Sequence, residues 1–387
     1  MRVAIVGAGI GGLSTAVGLQ RAGAEVTVLE RAEAVRAGGS GLSIFANGLA
    51  ALDSLGLREP FEAVTDRRVA EFTAGQRTPD GTWVMRVPTD SVGELRIVDR
   101  ADLHRILLSA LDEGTVRTSA EVASAGQAGT VTIRTPDGRE TTETVDLVIG
   151  ADGLRSRVRE TVSGVVAPRY AGYSAWRGIT ASPVDLGREA GETIGRGRRF
   201  GIAPLADGRV YWFAVANMPE DAVFAEEKGT VEAMFAGWHS PIGALIAATE
   251  ADSIRRTPIA DLSRALPSFH RGRVVLLGDA AHAMTPNLGQ GGGQALEDAA
   301  TLSALLAPLA ARPDPSEASI AEVLDRFERL RRGRSQSIAA ASRRVGALFQ
   351  LESRPLVAVR NALLRIAPAG LMAAQAERVQ AWEPPRG

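Results

Sequence analysis

The chain alternates between two hydrophobic patterns. Residues 3–6, 145–149 and 273–277 are short, almost continuous apolar runs. Such runs mark strands buried on both faces, as in a parallel sheet. Residues 10–21 follow the first run with helical spacing, Gly23 ends that helix, and 25–29 is a second strand. Residues 47–57 predict a short helix, and 99–111 another, with Asp99 as its N-cap. Residues 116–134 read as a meander turning at Gly126 and Gly129, and Pro136-Asp137-Gly138 is a further turn.

The second pattern is strand-like runs separated by turns such as Asp207-Gly208. It covers 170–180, 192–194, 199–203, 210–215 and 253–259, with a helical stretch at 229–246. Residues 68–85, broken by Pro79-Asp80-Gly81, predict a hairpin that joins this region. A Pro-rich loop at 308–316 leads to a long helix over 320–349. Its arginines read as a solvated face. Amphipathic stretches at 356–366 and 371–382, around Pro368, read as helices packed on the core. The expected architecture is α/β: a Rossmann-like domain (1–67, 98–166 and 268–315), an inserted antiparallel β-sheet substrate domain (68–97 and 167–267), and C-terminal helices (316–387).

The ends of the apolar runs carry the chemistry. Gly7, Gly9 and Gly12 have the G-x-G-x-x-G spacing, between a strand and a helix whose first turn has no charged side chain. The first glycine permits a tight turn, the second admits a pyrophosphate, and the third packs helix on strand. Glu30 closes the second strand, where an acid accepts hydrogen bonds from a ribose. The order strand, glycine turn, helix, strand, acid points to dinucleotide binding over an ordinary strand-to-helix turn. Asp152-Gly153 and Asp279 end the other two runs, at the edge where open α/β sheets bind ligands. Asp152 is also a fitting helix N-cap. Arg100 stands in a first helical turn, where the dipole does not favour a cation; an anionic ligand or solvent would account for it. Gly38, Gly39 and Gly41 suit a cofactor's approach or a mobile turn. Gly289, Gly291, Gly292 and Gly293 precede a strong helix and let a planar group touch backbone. His282 reads as a packing or hydrogen-bonding residue.

Composition narrows this further. The chain has 387 residues, which favours two domains. Net charge is −1, from 44 basic and 45 acidic residues, so no electrostatic footprint marks a nucleic acid or anionic membrane partner. Cysteine is absent, which excludes disulfides, iron–sulfur clusters and cysteinyl-linked cofactors. The four histidines match no metal spacing, so no metal is expected and redox chemistry falls to an organic cofactor. The chain starts directly on a strand, which suggests a cytoplasmic protein, and no window suits a spanning helix.

Three motifs in fixed order, GAGIGGL with Glu30, DLVIGADGLRSRVR and VVLLGDAAHAMTPNLGQGGG, resemble the single-component FAD-dependent monooxygenases of the para-hydroxybenzoate hydroxylase type. Urate, salicylate and hydroxynicotinate hydroxylases are nearest in appearance. The resemblance implies non-covalent FAD, with NADH or NADPH as transient co-substrate. The reduced flavin would form a C4a-hydroperoxide with O2 and pass one oxygen to a small aromatic or phenolic substrate. It implies that Gly7, Gly9 and Gly12 hold the pyrophosphate and Glu30 the ribose, with Arg31 beside it. It places Arg100 near the phosphates, Asp152 and Gly153 at FAD and nicotinamide, and Asp279 at the flavin's sugar portion. Pro286, Gly289, Gly291 and Gly292 would lie over the ring. Arg199 and Tyr211 fall at substrate-side catalytic positions; the alternatives are a surface arginine and a sheet aromatic. Asn287 stands where urate-type enzymes carry an acid, and Arg177 replaces a neutral residue. The substrate is therefore left open, as is a monomer or homodimer. The competing readings are an epoxidase, an FAD-dependent reductase, a flavin-dependent halogenase (for which Lys228 is badly placed) and a flavin-binding protein without turnover.

Overall fold

The computed structural model describes residues 1–35, 40–87, 93–367, 374 and 377–385. Gly38, Gly39, Pro368 and parts of the stretch 371–382 lie outside the described residues. In chain order the elements are β1 (Arg2–Val6), α1 (Ile10–Arg21), β2 (Glu25–Leu29), β3 (Gly41–Phe45), α2 (Ala46–Ser54), α3 (Arg58–Glu62), β4 (Ala74–Arg77), β5 (Trp83–Val87), β6 (Leu95–Asp99) and α4 (Arg100–Ser109). There follow β7 (Val116–Arg117), β8 (Glu121–Gly126), β9 (Thr130–Arg134), β10 (Glu140–Thr144), β11 (Leu147–Gly150), α5 (Val158–Ser163), β12 (Pro168–Ile179), β13 (Gly191–Ile194), β14 (Arg198–Pro204) and β15 (Val210–Asn217). The chain ends through α6 (Glu227–Met234), α7 (Ile242–Ala247), β16 (Arg255–Leu262), β17 (His270–Arg271), β18 (Val274–Leu276), α8 (Asp279–His282), α9 (Gly291–Ala310), α10 (Glu317–Phe349) and α11 (Arg354–Ile366).

The three apolar runs lie side by side. A six-stranded sheet has the order β17-β18-β11-β1-β2-β7, parallel throughout except for β17. Their carboxyl ends, Gly7, Ala151 and Gly278 onward, therefore open on one edge. Helix α9 lies against α1, and the fit is tight: a Cβ on Gly18 would sit 2.3 Å from the Ser303 hydroxyl. Leu302, Leu305, Leu306 and Leu309 of α9 are buried. Each such side chain contributes about 1.5–3 kcal/mol relative to exposure.

The alternating runs form a seven-stranded sheet, β16-β12-β15-β14-β13-β4-β5. It is antiparallel except where the hairpin meets it, β4 pairing parallel with β13. One face carries Trp176, Trp212, Phe200 and Ile202, packed against Val231 of α6, Phe235 just after it and Leu245 of α7. Phe200 stacks on Trp212 with centroids 5.4 Å apart. The other face presents Tyr173, Arg177, Arg199, Tyr211 and Phe213, by the strict alternation of strands.

Several expectations need correction. The helical stretch 229–246 is two helices, α6 and α7, with the break at Gly237, whose φ is 77°. Helix α9 runs past 308 to Ala310, because Pro308 forfeits one backbone hydrogen bond while Leu309 and Ala310 stay buried. Strand β6 pairs with β3 rather than with the hairpin, so it straddles the expected boundary at 97/98. Arg331 of α10 is buried and lies on no solvated face. Helix α11 is turned the other way from a core helix. Its Leu356, Val359, Leu363 and Ile366 are exposed, and Arg360 is buried on the carbonyls of Phe349 and Gly195.

Candidate active site

The glycine turn after β1 has the geometry of a phosphate cradle. Gly7 has φ 103°, and a Cβ there would sit 2.6 Å from the Ala151 carbonyl oxygen. A Cβ on Gly12 would sit 2.0 Å from the Gly7 carbonyl oxygen, so only glycine lets α1 come this close. Above Gly9 the space is open. The first turn of α1 has no side-chain cap and no acid, so its backbone N–H groups face that space. Glu30 is fixed by the N–H groups of Ala8 and Ala32, each 2.9 Å away. Each carboxylate oxygen keeps a further lone pair. A cavity of about 360 Å3 opens here, lined by Gly9, Glu30, Val35, Arg100 and His104 among others. Arg31 is exposed at its margin and makes no side-chain hydrogen bond among the described residues.

Asp99 caps α4 as expected, accepting from the Ala101 N–H at 3.0 Å. Arg100 then points into the cavity, where solvent reaches it although protein surrounds it. Burial lowers its pKa and Asp279 opposes the shift. Asp279, at the end of β18, likewise has an open side within a protein-walled cleft. Burial raises its pKa, with His282 and Arg100 acting the other way. Neither side chain has a hydrogen-bond partner among the described residues. Asp152 differs. Its oxygens accept from the Ser156 hydroxyl (2.6 Å) and the N–H groups of Arg157 (2.7 Å) and Val158 (3.2 Å), which makes it the cap of the turn into α5. Gly153 beside it has φ 78° and open space above. Buried Arg159 ties this turn to α8, donating to the carbonyls of Leu154 (2.7 Å) and Ala280 (3.1 Å).

Pro286 starts a single 3-10 turn, Pro286–Leu288, and Gly289 leaves it with φ 64°. Gly291 and Gly292 open α9, whose first turn also lacks a cap and an acid. Open space lies above Gly291, and Leu42 of β3 lies against Gly292. Behind this loop is a buried cluster that sequence reading missed. Arg331 pairs with Glu297 and with Asp298 (2.6 Å), and Arg334 pairs with Glu297 (2.8 Å). His282 Nε2 lies 2.5 Å from Asp298, which also accepts the Gly278 N–H at 2.9 Å. His282 and Arg331 beside it, with the Gly278 N–H, hold Asp298 at about 2, against the upward push of burial. Two adjacent acids in the apolar helix 295–306 were the available signal.

Tyr211 is buried on the inner face of the seven-stranded sheet, its ring packed against Gly41. Burial raises its pKa, and the guanidinium of Arg177 beside it pulls the other way. Arg199 is no surface residue. It is 2% exposed and donates to Gln350 (2.9 Å) and Asn287 (2.7 Å), with Glu192 at 3.5 Å. Asn287 in turn donates to Tyr173, Thr285 and the Ser342 carbonyl. Tyr211 pairs with Ala203 and Arg199 with Val215, so the two share a face but lie about 13 Å apart along the strand. Phe213, over Gly201, fills the interval. Lys228 lies on α6, behind the opposite face, donating to the carbonyls of Ala247 and Thr249.

The cradle suits a dinucleotide, and comparison with known proteins decides which. A family model described as an FAD binding domain matches residues 1–342. The chain belongs to this family. It is 37% identical over 382 residues to aurachin C monooxygenase/isomerase of Stigmatella aurantiaca, covering 95% of this chain and 94% of that protein. It is also 37% identical to 3-amino-4-hydroxybenzoate 2-monooxygenase of Streptomyces cremeus, covering 94% and 92%. The crystal structure of Klebsiella pneumoniae HpxO complexed with FAD and uric acid superposes with a TM-score of 0.84 at 28% identity, covering 98% and 96%. The protein is thus an FAD-dependent enzyme of the aromatic hydroxylase and monooxygenase family. Among the described residues no helix is long and apolar enough to cross a membrane, and no cluster of acids and histidines could hold a metal.

Proposed function

We propose that the protein hydroxylates a small aromatic or phenolic substrate, using NADH or NADPH and dioxygen, with FAD held without a covalent bond. The observation that carries this reading is one line of unsatisfied groups. It runs from the open cradle at Gly9 and Glu30, past Arg100 and Asp279, to the uncapped start of α9. Tyr211 stands beyond it on the sheet. Bound FAD supplies the redox chemistry, accepting a hydride from the nicotinamide and activating dioxygen once reduced. The chain's own residues do the rest. The α1 N–H groups and Arg100 would hold the diphosphate, and Glu30 and Asp279 would accept hydrogen bonds from sugar hydroxyls. The first turn of α9 would stabilise negative charge on the ring through its N–H groups and dipole. The sheet face, closed behind by two tryptophans, keeps water from the reacting atoms. Tyr211 would orient the substrate oxygen and, by donating a hydrogen bond, favour its ionised form, while Arg199 acts at one remove by fixing Asn287. The names of the relatives, an aminohydroxybenzoate monooxygenase and a urate hydroxylase among them, support an aromatic substrate.

The test is Tyr211→Phe, which keeps the ring on Gly41 and removes only the hydroxyl. NAD(P)H oxidation should continue, while product per NAD(P)H falls and hydrogen peroxide rises. A positioned acid–base side chain is worth about 10²–10⁴ in rate. A variant that stays fully coupled at the native rate would make Tyr211 a packing residue. A product heavier by one oxygen separates hydroxylation from reduction.

A further inference from the structure

We propose that His104 is a ligand of FAD, donating a hydrogen bond to the diphosphate–ribose half of the cofactor as the neutral partner of Arg100. The proposal rests on FAD binding alone and is independent of the substrate. His104 is 5% exposed, and neither ring nitrogen has a hydrogen-bond partner among the described residues. The other three histidines each have at least one paired nitrogen: His239 with Thr193, His270 with Asp325 and His282 with Asp298. Buried polar groups are nearly always paired, and leaving one unpaired costs stability. An imidazole with both nitrogens orphaned is a cost that packing does not explain.

Position says what would repay it. His104 follows Arg100 by four residues on α4, so the two share a helix face. Both line the cavity that holds Gly9 and Glu30. Burial and the Arg100 charge lower the His104 pKa to about 4, with Glu30 opposing. The ring is therefore neutral at pH 7, with one N–H to donate and one lone pair to accept. Among the described residues Arg100 has no side-chain hydrogen bond to hold it back. A swing of its guanidinium onto a phosphate would let His104 accept from Arg100 and donate to a phosphate or ribose oxygen. Arg100 supplies charge and His104 supplies direction, without a second cation whose desolvation would have to be met.

The experiment measures two quantities on ligand-free protein: its melting temperature and its dissociation constant for FAD by flavin fluorescence. His104→Leu should weaken FAD about tenfold or more, while the ligand-free protein melts at the same or a higher temperature. His104→Gln and His104→Asn place an amide where Nε2 or Nδ1 stood, and one of them should recover part of the affinity. ADP, which carries the diphosphate–ribose half, should lose affinity in parallel, and riboflavin should not. The proposal fails if His104→Leu binds FAD like the native protein. It fails equally if affinity and ligand-free stability fall together, or if neither amide variant recovers anything.

Discussion

Two groups of polar side chains flank the start of α9, and they are built in opposite ways. Behind it, Arg331, Arg334, Glu297, Asp298 and His282 form a closed cluster in which each charge meets an opposite one. Across the cleft, His104 and Asp279 each stand within electrostatic reach of Arg100, yet none of the three has a side-chain hydrogen bond among the described residues. The closed cluster joins α9 to α10 and, through the Gly278 N–H, fixes the residue before Asp279. The open one faces the cavity. Desolvated charge is costly unless paired, so a chain closes such a group where it holds the fold and leaves it open where a ligand is to close it. A ligand that binds only the folded state then returns the stability by mass action.

The largest effect expected from breaking this contrast is at Arg331. Arg331→Ala leaves Glu297 and Asp298 buried with their main cation gone, and removing one partner of such a set costs about 3–5 kcal/mol. Arg334 retains part of the charge balance at Glu297. Urea unfolding of the ligand-free protein measures the loss. A loss below about 1 kcal/mol, the level of surface pairs, would show that the cluster does not hold the fold.

The next effect is in acid. Asp298 is held at about 2 in the fold, below the ordinary carboxylate value of 3.8. A depressed carboxylate adds stability above its unfolded pKa and loses it as the pH falls through the folded one. Asp298 therefore contributes about 2 kcal/mol above pH 4, lost between about pH 4 and pH 2. Asp298→Asn should remove that limb of the stability curve and lower stability at pH 7. Acid titrations of both proteins by circular dichroism check it. Curves of equal steepness through that window would exclude Asp298 as the titrating group.

The same contrast marks what a sequence discloses. The glycine cradle was legible because each glycine has a local reason: Gly7 its positive φ, Gly12 its contact with the Gly7 carbonyl, Gly9 the room above it. The Asp99 cap was legible for the same reason. The division between the two largest sheets followed from continuous against alternating apolar runs. What stayed hidden depends on residues far apart in the chain. Arg331 looked like part of a solvated helix face, because Glu297 and Asp298 lie more than 30 residues away. Helix α11 looked like a core helix by amphipathicity, which shows that a face is apolar and not which way it points. Arg199 and Tyr211 were placed together by resemblance, and only strand register shows Phe213 between them. His104 gave no signal at all, since an orphaned nitrogen is visible only when every neighbour is known.

The smallest effect expected is also the one that separates the two groups most directly, because its sign reverses. Asp279 has its pKa raised by burial. A raised carboxylate has stability present below its unfolded pKa and lost as the pH climbs through the folded value, so above that value the ionised group is a net cost to the ligand-free fold. Asp279→Asn removes the charge and keeps the shape. Ligand-free, the variant should be as stable as the native protein or slightly more so, by about 0.5 kcal/mol or less, since water in the open cleft screens the group. With FAD present the order should invert. The amide accepts sugar hydroxyls less well than a carboxylate, whose hydrogen bonds are worth about 1.5–3 kcal/mol each, and the rise in melting temperature on adding FAD should shrink. Asp298→Asn, by contrast, should lower both melting temperatures together. The comparison needs six thermal scans, the native protein and each variant with and without FAD. If Asp279→Asn destabilises the ligand-free protein as Asp298→Asn does, then Asp279 belongs to the closed cluster, and the open group at the cavity loses its acid.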